Sequence, residues 1–135
     1  MYKFIVIIFL SFFISVKSSS EIIKSIEITG NKRVSDETIK VYGDIQQTGS
    51  DITKADLDVI LKNLYSTNFF ENVSLVIDKG ILKINVKEYP IVNQLVLIGE
   101  KSTRIQNEIK KTISLKEKAS FIESSLNNDI NIIKK

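Results

Sequence analysis

The chain contains the same sequence pattern twice, and this repeat constrains its fold more than any other feature. The segment SIEITGNK at residues 25–32 is echoed by QLVLIGEK at residues 94–101, and Gly30 and Gly99 lie 69 residues apart. Apolar and polar residues alternate in the first of these segments as they do in a half-buried strand. Two segments with helical periodicity follow in each case. We therefore predict two tandem copies of one module, called here the first and second repeats.

The first repeat begins with an alternating strand and a short helix. The strand is predicted over residues 22–29 and ends at Gly30 and Asn31, which both tolerate a positive φ. Ser35 is a suitable N-cap for the helix that follows. Gly43 falls inside the helical pattern and indicates that this helix is short. Its apolar stripe consists of Ile39, Tyr42 and Ile45.

A longer amphipathic helix comes next in the first repeat. Thr53 and Asp56 form a capping-box pattern with Asp in the place of the usual Glu, so the helix is predicted to begin at Thr53. Asn68 stands where the helix should stop, at a position that favours a left-handed residue. Leu61 is expected at the centre of the interface between helix and sheet. The apolar residues at helical spacing are Leu57, Ile60, Leu61 and Leu64.

A β-hairpin is predicted to complete the first repeat. Two alternating segments, residues 73–78 and 82–87, flank Lys79-Gly80, which has the length of a two-residue turn. The two amphipathic helices are expected to cover the apolar face of the sheet. The predicted fold class is therefore α+β, with a β-α-α-β-β module followed by an incomplete second copy of the order β-α-α.

The second repeat is predicted to stop after its second helix. Capping-box patterns that begin at Thr103 and Ser120 predict its two helices. Pro90 is the only proline of the sequence and stiffens the short junction between the repeats. We expect the first domain to cover residues 21–89 and a truncated second domain to cover residues 90–135, as an incomplete piece of a longer tandem array.

The N-terminus has the features of an export signal. A short basic start precedes a 13-residue apolar run at residues 4–16, and small polar residues follow it. Such a run is too short for a transmembrane helix, which needs about 20 apolar residues, but it fits a signal peptide. We expect residues 1–20 to be a signal peptide that is cleaved after Ser18 or Ser20. An uncleaved membrane anchor is the alternative.

The composition argues against several kinds of function. The sequence has no Cys and no His, which removes thiol and imidazole catalysis, thiolate zinc sites and disulfides. Its acidic clusters, at residues 36–37 and 56–58, lie at helix starts, where the helix dipole accounts for them. Without Lys3 and Lys17 of the predicted signal peptide, the chain has 17 basic and 16 acidic residues and is therefore nearly neutral. We therefore expect no catalytic residue, no cofactor, no metal and no nucleic-acid partner.

Three motifs of the sequence resemble a known family. Residues 30–35 read GNKRVS, residues 64–73 read LYSTNFFENV, and residues 86–90 read VKEYP. Together they resemble POTRA (polypeptide-transport-associated) domains, and the whole is similar to the N-terminal region of BamA-type outer-membrane protein assembly factors. Asn68 and Asn72 depart from the Gly and Asp that are usual in the family, although Asn still permits a left-handed conformation. The two adjacent cations of the first motif are expected to be solvated.

The resemblance implies a fold, a location and a set of partners. Its fold has two helices packed on a three-stranded mixed sheet, with the last strand in the middle. Members of the family carry POTRA modules in the periplasm ahead of a β-barrel. The resemblance therefore implies an exported protein at the periplasmic face of the outer membrane. A C-terminal barrel beyond this sequence would attach it to that membrane. The implied partners are unfolded outer-membrane proteins and accessory lipoproteins of the assembly complex. A two-partner secretion transporter, or a membrane-anchored division-type POTRA protein, is the alternative.

The implied sheet order leaves residues 72–78 on an edge. A client in extended form could add a strand there by β-augmentation, through backbone hydrogen bonds that tolerate many sequences. The outward residues Ser74 and Val76 are uncharged and do not block an added strand. The candidate binding residues are Asn72, Val73, Ser74, Leu75, Val76, Ile77 and Asp78. The residues expected to have structural roles are Gly30, Asn31, Thr53, Asn68, Pro90 and Gly99.

Overall fold

A computed structural model describes residues 21–45, 48–49 and 51–134 of the chain. The predicted signal peptide, residues 1–20, lies outside the described residues. We expect its apolar run, residues 4–16, to pack on no part of the folded domain, and this prediction also falls outside them. Within the described ranges, no helix has the length and apolar character needed to cross a membrane.

The first repeat contains five strands and two helices in its described residues. Their order agrees with the predicted β-α-α-β-β pattern, with two very short strands added. The elements are β1 (Glu21–Ile22), β2 (Ser25–Thr29), α1 (Asp36–Tyr42), β3 (Asp51–Ile52), α2 (Lys54–Ser66), β4 (Phe70–Asp78) and β5 (Ile81–Glu88).

The main sheet has three strands in the order β2-β5-β4. Strand β2 runs parallel to β5, with Ile28 opposite Ile84, and β4 runs antiparallel to β5, with Leu75 also opposite Ile84. The last strand of the repeat is therefore central, and β4 forms one edge. This order confirms the predicted α+β fold with a three-stranded mixed sheet.

The strand predicted over residues 22–29 is divided into two. Its first part, β1, pairs with β3, and its second part, β2, pairs with β5. Between them Ile23 is buried in the core, and the Lys24 N–H donates to the carbonyl of Gly80 at 2.7 Å. Alternation predicted an extended segment correctly, but it carries no information about a change of partner strand.

The local signals at the helix ends and the hairpin turn are confirmed. Thr53 and Asp56 make both bonds of the capping box at the start of α2. Asn68 follows that helix with a φ of 57°. Lys79 and Gly80 have φ values of 54° and 82°, which is the type I′ geometry of a two-residue hairpin. Each of these features is set by residues close together in sequence.

The two helices cover one face of the main sheet. Leu64 of α2 is completely buried, whereas Leu61 is only half-buried at the margin of the core. The expectation that Leu61 lies at the centre of the interface is therefore wrong. Ile60 and Leu64 form the row of α2 that is buried against the core, whereas Leu57 and Leu61, also four residues apart, form the neighbouring row at its margin. The buried core consists of Ile23, Ile39, Ile45, Ile52, Ile60, Leu64, Phe70, Val73, Leu82, Ile84 and Val86.

The second repeat contains the two expected helices, α3 (Thr103–Thr112) and α4 (Glu123–Ile133). Residues 94–98 form no strand in the described chain, contrary to the prediction, and Ile98 is 93% exposed. A strand is held by hydrogen bonds to a neighbour. In the first repeat β5 supplies that neighbour, and no described residue supplies it to residues 94–98.

The capping boxes predicted for the second repeat are wrong. The N-caps of α3 and α4 are Ser102 and Ile122, and neither makes a side-chain capping bond. Ser120 instead pairs with Ile91 in an isolated antiparallel bridge. In this bridge the Phe121 N–H donates to the Pro90 carbonyl and the Val92 N–H donates to the Ala119 carbonyl, so the chain on both sides of Ser120 is paired with another segment and the helix begins only after Ile122. Thr103 lies within the first turn of α3.

The spacing of the two repeats is preserved in three dimensions. The pair Ile22–Asp51 belongs to the β1–β3 ladder, and the bridge Ile91–Ser120 follows it 69 residues later. A backbone hydrogen bond next to each pair recurs with the same spacing. The Gly49 N–H donates to the Ile23 carbonyl in the first repeat, and the Lys118 N–H donates to the Val92 carbonyl in the second, both at 2.7 Å. The 69-residue offset between Gly30 and Gly99 therefore also relates the long-range backbone pairs of the two repeats, in addition to the order of their elements.

Candidate functional site

Strand β4 exposes one edge that no other described strand covers. The two-residue turn makes Asp78 and Ile81 a hydrogen-bonded pair, and such pairs alternate along an antiparallel ladder. Every second residue of β4 therefore directs its N–H and C=O toward β5, and the residues between them direct theirs to the free edge. The residues whose backbone groups point toward β5 are Asn72, Ser74, Val76 and Asp78. Those whose backbone groups point to the free edge, called outward from here on, are Val73, Leu75 and Ile77.

The side chain of Tyr65 occupies part of this free edge. The Val73 N–H donates to the Tyr65 hydroxyl at 3.1 Å, and the Tyr65 hydroxyl donates to the Val73 carbonyl at 3.5 Å. Tyr65 lies in the last turn of α2, which packs against β4. The Val73 N–H is therefore occupied as a neighbouring strand would occupy it, while the contact to the Val73 carbonyl is longer than a usual O–H···O bond. Sequence reasoning missed this contact.

The side chains of β4 divide between the core and the solvent as predicted. Val73 is buried, and Leu75 and Ile77 are half-buried at the margin of the core. On the opposite face Ser74 is exposed, and Val76 is 56% exposed. All the candidate binding residues therefore lie on one strand, with an uncharged stretch in the middle of its outer face.

Charged groups and a bulge mark the two ends of this strand. Asp78, next to the hairpin turn, pairs with Lys83 at 2.8 Å. At the other end the register shifts between Phe70 and Asn72. The regular part of the edge therefore runs from Asn72 to Asp78, and a β-bulge bends the strand before it.

The first family motif, residues 30–35, packs closely against the central strand β5. Gly30 has a φ of 86°, and a Cβ atom at this position would lie 2.1 Å from the carbonyl oxygen of Val86. The Asn31 side chain donates to Asp36 Oδ1 at 2.8 Å. Gly99 has a similar φ of 99°, but a Cβ atom there would meet nothing within 4 Å. The close backbone approach is therefore specific to the first repeat within the described residues.

Glu88, at the end of β5, holds this motif in place. Its carboxylate accepts the backbone N–H groups of Lys32, Arg33 and Val34 at 2.7, 2.9 and 3.0 Å, and the Arg33 Nε at 2.9 Å. The Glu88 side chain is only 6% exposed. Burial raises the pKa of Glu88, but the hydrogen bonds from these backbone groups and from Arg33 outweigh it and lower the pKa below its ordinary value.

Arg33 also connects the motif to the junction between the repeats. Its Nη2 donates to the carbonyl of Tyr89 at 2.7 Å, and the carbonyl of Pro90 accepts the N–H of Phe121 at 2.7 Å. The expectation that the two cations of the motif are simply solvated is therefore wrong for Arg33. Glu88, 55 residues away in sequence, supplies its partner.

The interaction at Glu88 predicts a specific dependence of stability on pH. A carboxylate whose pKa is lower in the folded state stabilises the fold above the unfolded pKa, near the ordinary value of 4.5, and loses this contribution as pH falls through the folded pKa. We expect Glu88→Gln to lower the free energy of unfolding by about 1–3 kcal/mol at pH 7. The difference from wild type should shrink progressively below about pH 4.5. Urea unfolding followed by tyrosine fluorescence measures it.

Glu71→Gln is the matched control for this prediction. Glu71 pairs with Lys87 at 2.8 Å on the exposed face of the sheet, and its side chain is 42% exposed. An exposed pair of this kind contributes about 0–1 kcal/mol, so this variant should differ little from wild type at any pH. A Glu88→Gln effect that stays constant between pH 3 and pH 7 would contradict the assignment.

The described residues offer structural rather than chemical uses for their buried acids. They contain no cluster of three or more acidic residues that could hold a metal ion. Asp129 of α4 is buried, and it accepts the N–H groups of Ser114 and Leu115 at 2.7 and 2.8 Å. Burial raises the pKa of Asp129, but these bonds, with help from Lys116, lower it overall. Asp129 therefore ties the loop after α3 to α4.

A comparison of sequences gives one curated relative, and no family model matches the chain. The relative is the outer membrane protein assembly factor BamA of Neorickettsia risticii (strain Illinois), which is 31% identical over 109 residues. The match covers 81% of this chain and 14% of the relative. The chain therefore corresponds to a small part of that protein.

Solved structures share the fold. The N-terminal domain of Omp85 from Thermosynechococcus elongatus has a TM-score of 0.59 and 18% identity, and the match covers 87% of this chain and 51% of that one. POTRA1-3 of the periplasmic domain of Omp85 from Anabaena has a TM-score of 0.53 and 14% identity, with the same coverage. The fold is therefore that of POTRA domains. Together with the sequence match, it identifies the chain as the POTRA region of a BamA-type protein.

Proposed function

We propose that this chain forms periplasmic POTRA modules of an outer-membrane protein assembly and insertion factor, and that these modules receive unfolded outer-membrane proteins. The name of the relative from N. risticii supports the assignment. The observation that carries the binding role is the free edge of β4, where Leu75 and Ile77 direct their backbone groups outward.

The proposed mechanism is β-augmentation on β4. A client in extended form pairs with the outward N–H and C=O groups of the strand, so the interaction tolerates many client sequences. Leu75 and Ile77, with Leu57 and Leu61 of α2, are half-buried at the margin of the core. An added strand would cover part of this apolar margin and gain from its burial.

Binding by this edge is expected to be weak. Ordering an extended chain costs about 1–2 kcal/mol per residue, whereas each backbone hydrogen bond contributes about 0.5–1.5 kcal/mol net. A short ladder therefore holds a client reversibly. Reversible capture suits a module that passes its client on, and it requires no catalytic group or cofactor.

The remaining features of the proposal follow from membership of this class of protein. Residues 1–20 serve as the signal peptide, residues 21–89 form the first POTRA domain, and residues 90–135 belong to the second. The protein is exported to the periplasmic face of the outer membrane and is anchored there by a C-terminal β-barrel. Accessory lipoproteins of the assembly complex are its further partners. The relative is named as an assembly factor, which favours this function over two-partner secretion or a role in division.

A pair of substitutions at Leu75 tests the mechanism. Leu75→Pro removes an outward N–H, which proline cannot donate, while Leu75→Ala loses a similar part of the side chain but keeps the donor. We expect both variants to fold and Leu75→Pro to bind an alternating Val/Thr nine-residue peptide about two- to tenfold more weakly than Leu75→Ala, as the loss of one backbone bond implies. NMR titration of the labelled chain measures both affinities.

Two further variants control this experiment. Ser74→Ala changes only an exposed side chain and should leave peptide binding nearly unchanged. Val76→Pro removes an N–H that pairs with β5 across from Lys83, so it should destabilise the sheet itself. Peptide-induced shifts confined to helices α1 and α2, with β4 unaffected, would show that the client docks elsewhere.

A further inference from the structure

The hydroxyl of Tyr65 takes the place of a neighbouring strand at one position of the β4 edge. A tyrosine hydroxyl is both a donor and an acceptor, and this one engages both backbone groups of Val73, at 3.1 Å and 3.5 Å. It accepts the Val73 N–H and makes only a long contact to the Val73 carbonyl, and it offers no continuation of the ladder. No described residue does the same for the outward groups of Leu75 and Ile77.

We propose that Tyr65 fixes the end of the pairing surface and thereby the register in which a client strand is received. A client pairs with the outward groups of Leu75 and Ile77, and its ladder stops where Tyr65 closes Val73. This inference rests on the proposed binding role of the β4 edge. It assigns to Tyr65 the role of a specificity-determining residue, which acts by limiting the number of backbone bonds.

Two features of the structure support a defined end at this position. The β-bulge between Phe70 and Asn72 bends the strand directly beyond Val73. Tyr65 lies near the end of α2, and the packing of this helix against β4 holds its ring in place. The residue is 40% exposed. The side chain therefore sits in the path of a longer added strand and can be replaced without opening the core.

The closed position also explains how the edge avoids unwanted pairing. A long free edge is a template for association with other chains, and proteins shorten or cover such edges. Here the regular part of β4 extends from Asn72 to Asp78, but only the outward groups of two of its residues lack a partner among the described residues. Such a surface admits a short extended segment with alternating side chains and disfavours a full-length strand.

The first test needs no client. In the free chain, the Val73 amide should exchange its hydrogen about two- to tenfold more slowly than it does in Tyr65→Phe, as expected when one hydrogen bond is lost. The matched control is Tyr42→Phe, because Tyr42 is similarly exposed but makes no hydrogen bond to β4. Equal exchange of Val73 in wild type and Tyr65→Phe would overturn the proposal.

The second test uses the alternating Val/Thr nine-residue peptide. In wild type the peptide should protect the amides of Leu75 and Ile77 and leave Val73 unchanged. Removal of the ring in Tyr65→Ala should extend protection to Val73 and increase affinity about three- to tenfold, as one or two added bonds imply. Tyr42→Phe should bind as wild type does.

The remaining outcomes separate this inference from the function on which it rests. If the peptide protects Leu75 and Ile77 but Tyr65→Ala has wild-type affinity and footprint, Tyr65 does not set the register, although β-augmentation stands. If no residue of β4 responds in any variant, the proposed function fails, and this inference fails with it.

Discussion

Gly30→Ala is expected to lower the free energy of unfolding of the first repeat by about 3–5 kcal/mol. Gly30 has a φ of 86°, in a region that L-residues rarely adopt. A Cβ atom would also lie 2.1 Å from the carbonyl oxygen of Val86, which belongs to the central strand and cannot move without disturbing both neighbours. A small domain has about 5–15 kcal/mol of stability in total, so this substitution removes a large share of it.

Two other glycines separate the effect of backbone conformation from that of steric contact. Gly49 and Gly99 have φ values of 102° and 99°, and a Cβ atom at either position would meet nothing within 4 Å. Alanine at these positions should therefore cost only the conformational term, about 1–2 kcal/mol. Urea unfolding followed by tyrosine fluorescence suits Gly30→Ala and Gly49→Ala, because the chain has no Trp and Tyr42 and Tyr65 both lie in the first repeat. The second repeat has no Tyr, so the unfolding of Gly99→Ala is followed by far-UV circular dichroism. Equal losses for Gly30→Ala and Gly49→Ala would refute the close contact.

The features predicted correctly from the sequence are those determined by neighbouring residues. Thr53 and Asp56 form their capping box within one helical turn, and Lys79-Gly80 forms the hairpin turn that fixes the register of β4 and β5. Apolar alternation then decides which face of the sheet is buried. The order of the strands came from the resemblance to POTRA domains, because periodicity alone does not state which strand is central.

The features that sequence reasoning missed depend on distant partners. The sequence places Glu88 in a family motif but does not indicate that its carboxylate accepts backbone N–H groups 54–56 residues away. Tyr65 is only eight residues from Val73, yet its contact exists because α2 packs back against β4. The segment at residues 94–98 illustrates the opposite error, since a strand pattern forms no strand without a partner to pair with.

The second repeat shows how far a repeated architecture tolerates changes of sequence. Gly49 has a φ of 102°, and the residue 69 positions later is Lys118, with a φ of 67°. Both donate their N–H across a short antiparallel pair at 2.7 Å. A lysine at this left-handed position costs about 1–2 kcal/mol relative to glycine. The long-range pairing therefore outweighs a local preference, which is why motif comparison alone did not find it.

Leu64→Ala should destabilise the first repeat by about 3–5 kcal/mol, near the upper end for buried leucines. Leu64 is completely buried between α2 and the sheet, so truncation leaves a cavity that the surrounding strands cannot fill. Leu61→Ala, three residues earlier on the same helix, should cost only about 1–2 kcal/mol, since this side chain is half-buried and water already reaches it.

The same substitution at these two neighbouring positions provides its own control, because helix propensity and side-chain chemistry are identical. The ratio of the two losses, measured by urea unfolding, reports burial alone.

The Leu61 substitution also tests the proposed binding edge. Leu61 is half-buried against the core and lies one helical turn before Tyr65, which contacts the edge at Val73, so an added client strand is expected to bury it further. Client peptide should therefore stabilise wild type more than Leu61→Ala and should stabilise Leu75→Pro least. A Leu61→Ala loss equal to that of Leu64→Ala would place Leu61 in the core and remove the apolar margin from the proposed site.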